Sequence, residues 1–397
     1  MMTGNDVEHL WGHLAVPFAD IIRGAKNAEF INGSAAAIRK DHVLVGTTAG
    51  VGSRVVPYDY LVLSTGTRYQ SDIKTEGASV EHRKASFAAE QKRMGEVSSF
   101  AIVGAGLVGI ELAGDLKSYF PDKSIEVYTR SGAWLPRIAG AHERVEPVMK
   151  ALGVNLVVGK EIVATDDEGR MVTKEGEKVG PAGARTYWCT GYKPNTEYLK
   201  DDRSDSAVAA CLDGNGFVIV DKAMRLDPSN GLGHIFAGGD LVFADRHSYG
   251  ERTAAMAWIH AGVIIDNIRH AAGQREGENL KMPAVNFYAG TDVAVSLGTN
   301  DGFMYATNPA FEMFFQDKEG LRAKHGEIVD SGVAGWQEVT KGTANDMGSI
   351  NWTMFHMIPE GAFNMYTKDD VRACCLELRW RHACSHRPAC VCPAWRR

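Results

Sequence analysis

A chain of 397 residues with 45% apolar composition is long enough to bury two or three cores. Its net charge of -6 removes the electrostatic case for a nucleic acid partner, and no run of about 18 apolar residues exists that would span a bilayer. The opening MMTGNDVEHLWGHL lacks a secretory layout and the Gly after the initiator Met that myristoylation requires; a cytoplasmic location is expected, with peripheral contact to a membrane as the alternative.

Short apolar strands with turn signals fill residues 1–95. DHVLVGTTAGVGSRVVPYDYLVLSTGT reads as strand, Gly-rich turn, strand, then a buried strand ending at Thr65-Gly66. Gly50-Val51-Gly52 is a hairpin turn, because Pro57 and another strand follow where a phosphate-binding helix would be needed. Ser79 to Gly95 is polar and helical in composition. The strand SFAIVG then leads to the helix GIELAGDLKSYF, broken before Pro121, and to a second strand, SIEVYTR. A helix around HERVEPVMKALG, a strand NLVVG and a hairpin through TDDEGRMVTKEGEKVG follow. The segment closes on ARTYWCTGYKPN, a second strand ending in Thr-Gly, at Thr190-Gly191. Further on, a buried strand ends in Gly238-Gly239-Asp240 and a strongly periodic helix, ERTAAMAWIHAGVIIDNIRHAAG, comes next. AVNFYAGTDVAVSLGTNDG reads as two strands around a turn, and from Tyr305 onward the pattern loosens.

Gly104, Gly106 and Gly109 form G-x-G-x-x-G with a strand before and a helix after. The first glycine permits a tight turn, the second lets backbone approach a pyrophosphate, and the third lets helix pack on strand. The phosphates would meet free N–H groups and the positive end of the helix dipole. A nucleotide site and a plain Gly-rich turn are the two readings. An acid about twenty residues on would bind the ribose of NAD, but Glu126 comes early in its strand and the strand's end carries Arg130. Arg130 either pairs with a 2′-phosphate or is a solvated strand-end charge. Thr65-Gly66 and Gly239-Asp240 fall where open α/β sheets bind ligands, although each alone reads equally as an ordinary turn.

Seven cysteines, an odd number with no C-x-x-C pair, argue against a stapled secreted scaffold. Cys189 is read as core. The tail RHACSHRPACVC alternates Cys and His without the spacing of structural zinc sites, so no metal is expected.

The succession YDYLVLSTGT, FAIVGAGLVGIELAGDL, TYWCTGYKPN, HIFAGGDL resembles the pyridine nucleotide-disulfide oxidoreductase superfamily of two-dinucleotide-domain flavoproteins. More narrowly, LKSYFPDKSIEVYTRSG, WCTGYKPN and SLGTNDG resemble the apoptosis-inducing-factor-like, ferroptosis-suppressor type of NAD(P)H:quinone reductase, over roughly residues 5–302. The resemblance implies an α/β fold of two nested three-layer, Rossmann-like dinucleotide-binding domains plus a small C-terminal α+β region. An FAD domain would occupy residues 1–95 and 191–284, an NAD(P)H domain 96–190, and a C-terminal region with a Cys/Arg-rich tail 285–397. In such proteins GAGLVG is the second fingerprint; the first, for the FAD pyrophosphate, is expected before it and is not seen, which reads as truncation of the FAD domain.

Roles follow for matching positions. Asp240, beside Gly239, would hold the ribityl or pyrophosphate part of FAD, and Thr65-Gly66 would lie near its adenine half. Thr253 and Ala254 would point backbone N–H groups at the isoalloxazine. Thr190 and Gly191 belong to the same set of cofactor-contacting strand ends. Glu111 would lie between nicotinamide and flavin, its other reading being a first-turn acid favoured by the helix dipole. The expected activity is hydride transfer from NAD(P)H to FAD and onward electron transfer to a quinone-like acceptor. The alternatives are an FAD-deficient relic that binds NAD(P)H or a partner, and a reductase serving a ferredoxin-like protein.

Overall fold

The first strands fold back on one another in an antiparallel sheet: β1 (Gly33–Ile38), β2 (His42–Thr47) and β3 (Ser53–Pro57), in that order. Strands β2 and β3 pair in register, His42 opposite Pro57, and Gly50–Gly52, where the turn between them is expected, lie outside the described residues. A computed structural model of the chain describes residues 22, 25, 27–47, 53–70, 79–136, 138, 140–242, 254–280, 293–298 and 302–305. Contacts divide the chain into two units, and every element named here lies in the unit spanning Gly33–Asn345.

Two three-residue strands come next, β4 (Leu61–Leu63) and β5 (Thr67–Tyr69), and then helix α1 (Val80–Glu96). Ser79 caps α1 by accepting from His82 N–H at 3.1 Å, which satisfies one of the donors a helix start leaves open. The glycine fingerprint sits between β6 (Ser99–Val103) and α2 (Leu107–Tyr119). Strand β7 (Ser124–Tyr128), helix α3 (Ala141–Leu152) and strand β8 (Val154–Val157) complete two successive β-α-β crossovers. Strands β9 (Ile162–Thr165), β10 (Met171–Thr173) and β11 (Lys178–Val179) form a three-stranded meander rather than the two-stranded hairpin expected. Strand β12 (Arg185–Trp188) returns to the parallel sheet, whose order is β12-β6-β7-β8.

That sheet is buried on both faces, as all-parallel sheets are. One face packs Phe100, Ile102, Ile125 and Val127 against Ile110, Ala113 and Leu116 of α2 and Val145 and Met149 of α3. On the other, Ala101, Val103 and Tyr128 meet Ile162 and Met171 of the meander. The third layer of this Rossmann-like unit is therefore antiparallel strand.

Strand β13 (Tyr192–Pro194) pairs antiparallel with β5, and β14 (Ile235–Ala237) pairs parallel with β4. A second core surrounds β14 and includes Ile38, Leu63, Leu226, Phe236 and, from helix α4 (Ala254–Ala271), Val263 and Ile264. Strands β15 (Val293–Ser296) and β16 (Gly302–Tyr305) form a hairpin. Its second strand begins at the last residue of the segment read as two strands from sequence, and residues 284–292 of that segment are outside those described.

Candidate cofactor site

Strands β6 and β12 end side by side, Val103 opposite Trp188, while the chain leaves β6 through α2 toward β7 on the other side. Neighbouring parallel strands whose connections diverge leave a crevice at their C-terminal ends, where open α/β sheets bind ligands. The three glycines at this point have different physical causes. Gly104 has φ +114°, and a Cβ there would lie 2.4 Å from the Cys189 carbonyl oxygen. A Cβ on Gly109 would lie 1.9 Å from the carbonyl oxygen of Gly104. The fold itself needs both glycines. Gly106 is different: its φ of -83° and ψ of -175° suit any residue, and a Cβ there meets nothing within 4 Å. It is exposed at the start of α2 with no side-chain cap, next to the helix's open N–H groups. An unconstrained glycine at an uncapped helix start fits a pyrophosphate cradle, where the missing Cβ leaves room for ligand.

The second crevice lies at the ends of β4 and β14. Leu63 is opposite Ala237, and Gly238 N–H donates to the Leu63 carbonyl at 3.0 Å. Thr65-Gly66 and Gly239-Asp240 therefore emerge at the same edge of the parallel pair. Gly66 and Gly239 take positive φ, +67° and +76°, the left-handed backbone a glycine adopts without penalty. Thr67 Oγ1 donates to Asp240 Oδ2 at 3.3 Å, tying the carboxylate to the start of β5.

The β5–β13 ribbon joins the crevices. Thr65 is held at one end, its hydroxyl donating to the Asn195 carbonyl at 2.7 Å while Asn195 Nδ2 donates to the Thr65 carbonyl at 2.9 Å. At the other end Thr190 Oγ1 donates to Gln70 Oε1 at 3.1 Å, beside Gly191 at φ +110°. The two Thr-Gly turns are thus separated by a ribbon about 10 Å long, from roughly 3.4 Å per strand residue.

Glu111 does not stand open in the crevice. Its Oε1 accepts from Ser296 N–H of β15 at 3.2 Å, and burial, reinforced by Asp115 one turn on, pushes the carboxyl up to about 7. Glu126 is removed from the ribose position: it points to the meander face, where it accepts from the Tyr128 hydroxyl. Arg130, by contrast, is exposed at the end of β7 and makes no ion pair among the described residues. Its neighbour Ser131 is fixed by Thr129, hydroxyl to hydroxyl at 2.8 Å. Cys189 is buried in the core, and burial pushes its thiol up to about 12. Thr253 and the tail cysteines lie outside the described residues, and Ala254 is described only as the first residue of α4. Among the described residues no cluster of His, Cys, Asp or Glu could hold a metal, and no helix is long and apolar enough to cross a membrane.

Sequence reasoning passed over two features. The segment after β7 packs directly on the glycine loop: Leu135, at φ +44°, donates its N–H to the Ala105 carbonyl at 2.9 Å, and buried Trp134 donates to Glu146 of α3. The other is His260 on α4, whose Nδ1 accepts from Gly239 N–H at 3.0 Å and whose burial lowers its pKa to about 4. A single titratable residue in the apolar run AMAWIHAGVII was the available signal.

Residues 14–271 match the model of a family described as pyridine nucleotide-disulphide oxidoreductase. Among curated proteins, the chain is similar to ferroptosis suppressor protein 1 of Homo sapiens, 23% identical over 262 residues, 63% of this chain and 65% of that protein. It therefore spans just under two thirds of that relative's length. It is also similar to FAD-dependent oxidoreductase FVFD30 of Flammulina velutipes, 22% identical over 310 residues, covering 77% and 89% of the two chains. A ferredoxin reductase structure from Rhodopseudomonas palustris aligns with TM-score 0.54 at 16% identity, covering 80% of this chain and 83% of that one, a likeness of fold.

Proposed function

The chain belongs to the pyridine nucleotide-disulphide oxidoreductase family, and on that premise we propose that it is a flavin-dependent NAD(P)H oxidoreductase with a diffusible, quinone-like acceptor. The observation that carries the reading is Gly106: its backbone conformation and surroundings would accept a side chain, so its glycine is explained by a ligand rather than by the fold. When bound, NAD(P)H and FAD supply hydride and electron transfer, and the protein supplies orientation and electrostatics. Gly104–Gly109 and the start of α2 take the NAD(P)H pyrophosphate. Arg130, exposed at the strand end, takes the 2′-phosphate of NADPH. Thr65-Gly66, Gly239-Asp240 and the backbone opening α4, with Thr253 and Ala254, hold FAD. Thr190-Gly191 close the crevice between the two cofactors. Glu111 keeps a carboxyl near neutrality at the nicotinamide side, able to hold a proton at about pH 7.

Two observations support an acceptor that diffuses in. The described cysteines, Cys189 and Cys211, are both free and buried, and the Cys189 thiol is far from ionising. Neither suits a thiolate relay. The motifs also resemble the quinone-reducing type, and a peripheral membrane contact would suit a quinone dissolved in lipid. The test is steady-state turnover of FAD-supplemented protein with NADPH and, in parallel, a soluble quinone or a ferredoxin-like protein. Quinone reduction well above the ferredoxin rate is expected. The reverse ranking removes the quinone assignment, and NADPH binding without turnover on any acceptor favours the non-catalytic relic.

A further inference from the structure

The turn that carries Asp240 is built from the two most pliable residues a chain can use, Gly238 and Gly239, and it is held by a side chain with no role so far. His260 is 4% exposed, and its Nδ1 accepts from Gly239 N–H at 3.0 Å. The helix lies hard against this turn: a Cβ on Gly238 would come within 3.2 Å of His260 Cβ and 2.8 Å of Ile264 Cδ1. Gly239 sits at φ +76°, and the next side chain is the Asp240 carboxylate, which Thr67 Oγ1 meets from the other side. An accepting Nδ1 carries a lone pair, so the ring is neutral with its proton on Nε2.

We propose that His260 is a positioning residue for the flavin side of the site: its Nδ1 locks Gly239 in the left-handed turn and thereby aims Asp240. Glycine loses more conformational freedom on ordering than any other residue. A buried acceptor on Gly239 N–H removes that freedom before ligand arrives, so the carboxylate need not be ordered on binding. Imidazole suits the task because it reaches the turn from the body of an apolar helix and needs no charge. The inference rests on the proposed contact between Asp240 and FAD.

The test compares His260→Asn, whose Oδ1 falls near the position of Nδ1, with His260→Gln, whose carboxamide oxygen falls near Nε2, and with His260→Leu. In the flavin-free full chain, NMR should show Nδ1 of His260 unprotonated and the Gly239 amide protected from exchange. Protection should persist in the Asn variant and vanish in the Gln and Leu variants. FAD affinity, read from quenching of flavin fluorescence, should stay within about threefold in the Asn variant and fall at least about tenfold in the other two, as loss of one preorganising hydrogen bond implies. An unprotected Gly239 amide in the parent chain, or Gln and Leu variants that match Asn, would overturn the proposal; the parent measurement needs no variant to fold. If the protection pattern holds while the parent binds no FAD, the locking of the turn stands and the flavin assignment of Asp240 fails.

Discussion

Gly106 and Gly109 are three residues apart, and substitution at each should fail differently. A side chain at Gly106 enters open space at an unstrained φ, so Gly106→Val should leave the unfolding free energy within about 0.5 kcal/mol of the parent, the usual range for an exposed change. Isothermal titration should nevertheless find no NAD(P)H binding. Gly109→Ala should instead cost several kcal/mol, since its Cβ would overlap the Gly104 carbonyl. Retained nucleotide affinity in Gly106→Val would make the fingerprint structural. Arg130→Ala should raise KM for NADPH by roughly ten- to a hundredfold, the worth of one or two charge-assisted hydrogen bonds, and leave NADH nearly unchanged. Equal shifts for both nucleotides would withdraw the 2′-phosphate assignment.

Glu111 gives a pH signature at the same scale. Its folded pKa, about 7, lies above the ordinary 4.5, so between those values the folded chain holds a proton that the unfolded chain has released. The stability this contributes is complete below about pH 4.5 and is lost as pH rises through 7. Glu111→Gln keeps an acceptor for Ser296 N–H and removes the titration. Urea unfolding should show the variant about 1 to 3 kcal/mol more stable than the parent above roughly pH 8, and nearly equal to it near pH 4.5. His260 titrates in both proteins and cancels in the difference. A gap that does not change with pH would refute the assignment.

Among elements, those with strong local signals were legible. The helix read over Ser79–Gly95 is α1, Val80–Glu96, and the strand, glycine loop and helix around Gly104–Gly109 fall where the pattern put them. The meander's third strand has two residues, and β5 and β13 have three each, too short for alternation to register. The pairing of β5 with β13 depends on contacts more than a hundred residues apart. The polar look of α1 hid its anchor. Glu90 is buried and accepts from Arg185 Nε at 2.7 Å and Nη2 at 2.9 Å and from the Tyr187 hydroxyl at 2.6 Å, pinning the helix to β12. Composition ranks such a carboxylate with the solvent face, and only the long-range partners reverse that. Glu90→Ala should cost about 3 to 5 kcal/mol in urea unfolding, the range for removing one partner of a buried charged pair. A loss below about 1 kcal/mol would mean that α1 is held by its apolar contacts alone.

At the scale of the whole molecule, the α/β class was readable because strand-to-glycine endings recur at the ends of parallel strands. The roles of the individual residues were less so. The resemblance singles out Glu111, whereas its partner Ser296 lies 185 residues away. His260 acts on a turn that the sequence places some twenty residues earlier. What the fold adds is convergence: one crevice built from β6 and β12, another from β4 and β14, and a single short ribbon between them. The central claim is that these crevices hold a pyridine nucleotide and a flavin in communication. The direct measurement is anaerobic addition of NADPH to the FAD-loaded chain, following the flavin's visible absorbance without any acceptor present. The account predicts stoichiometric bleaching in the parent and none in Gly106→Val with its FAD still bound. Bound FAD that keeps its full absorbance under saturating NADPH and NADH would contradict it.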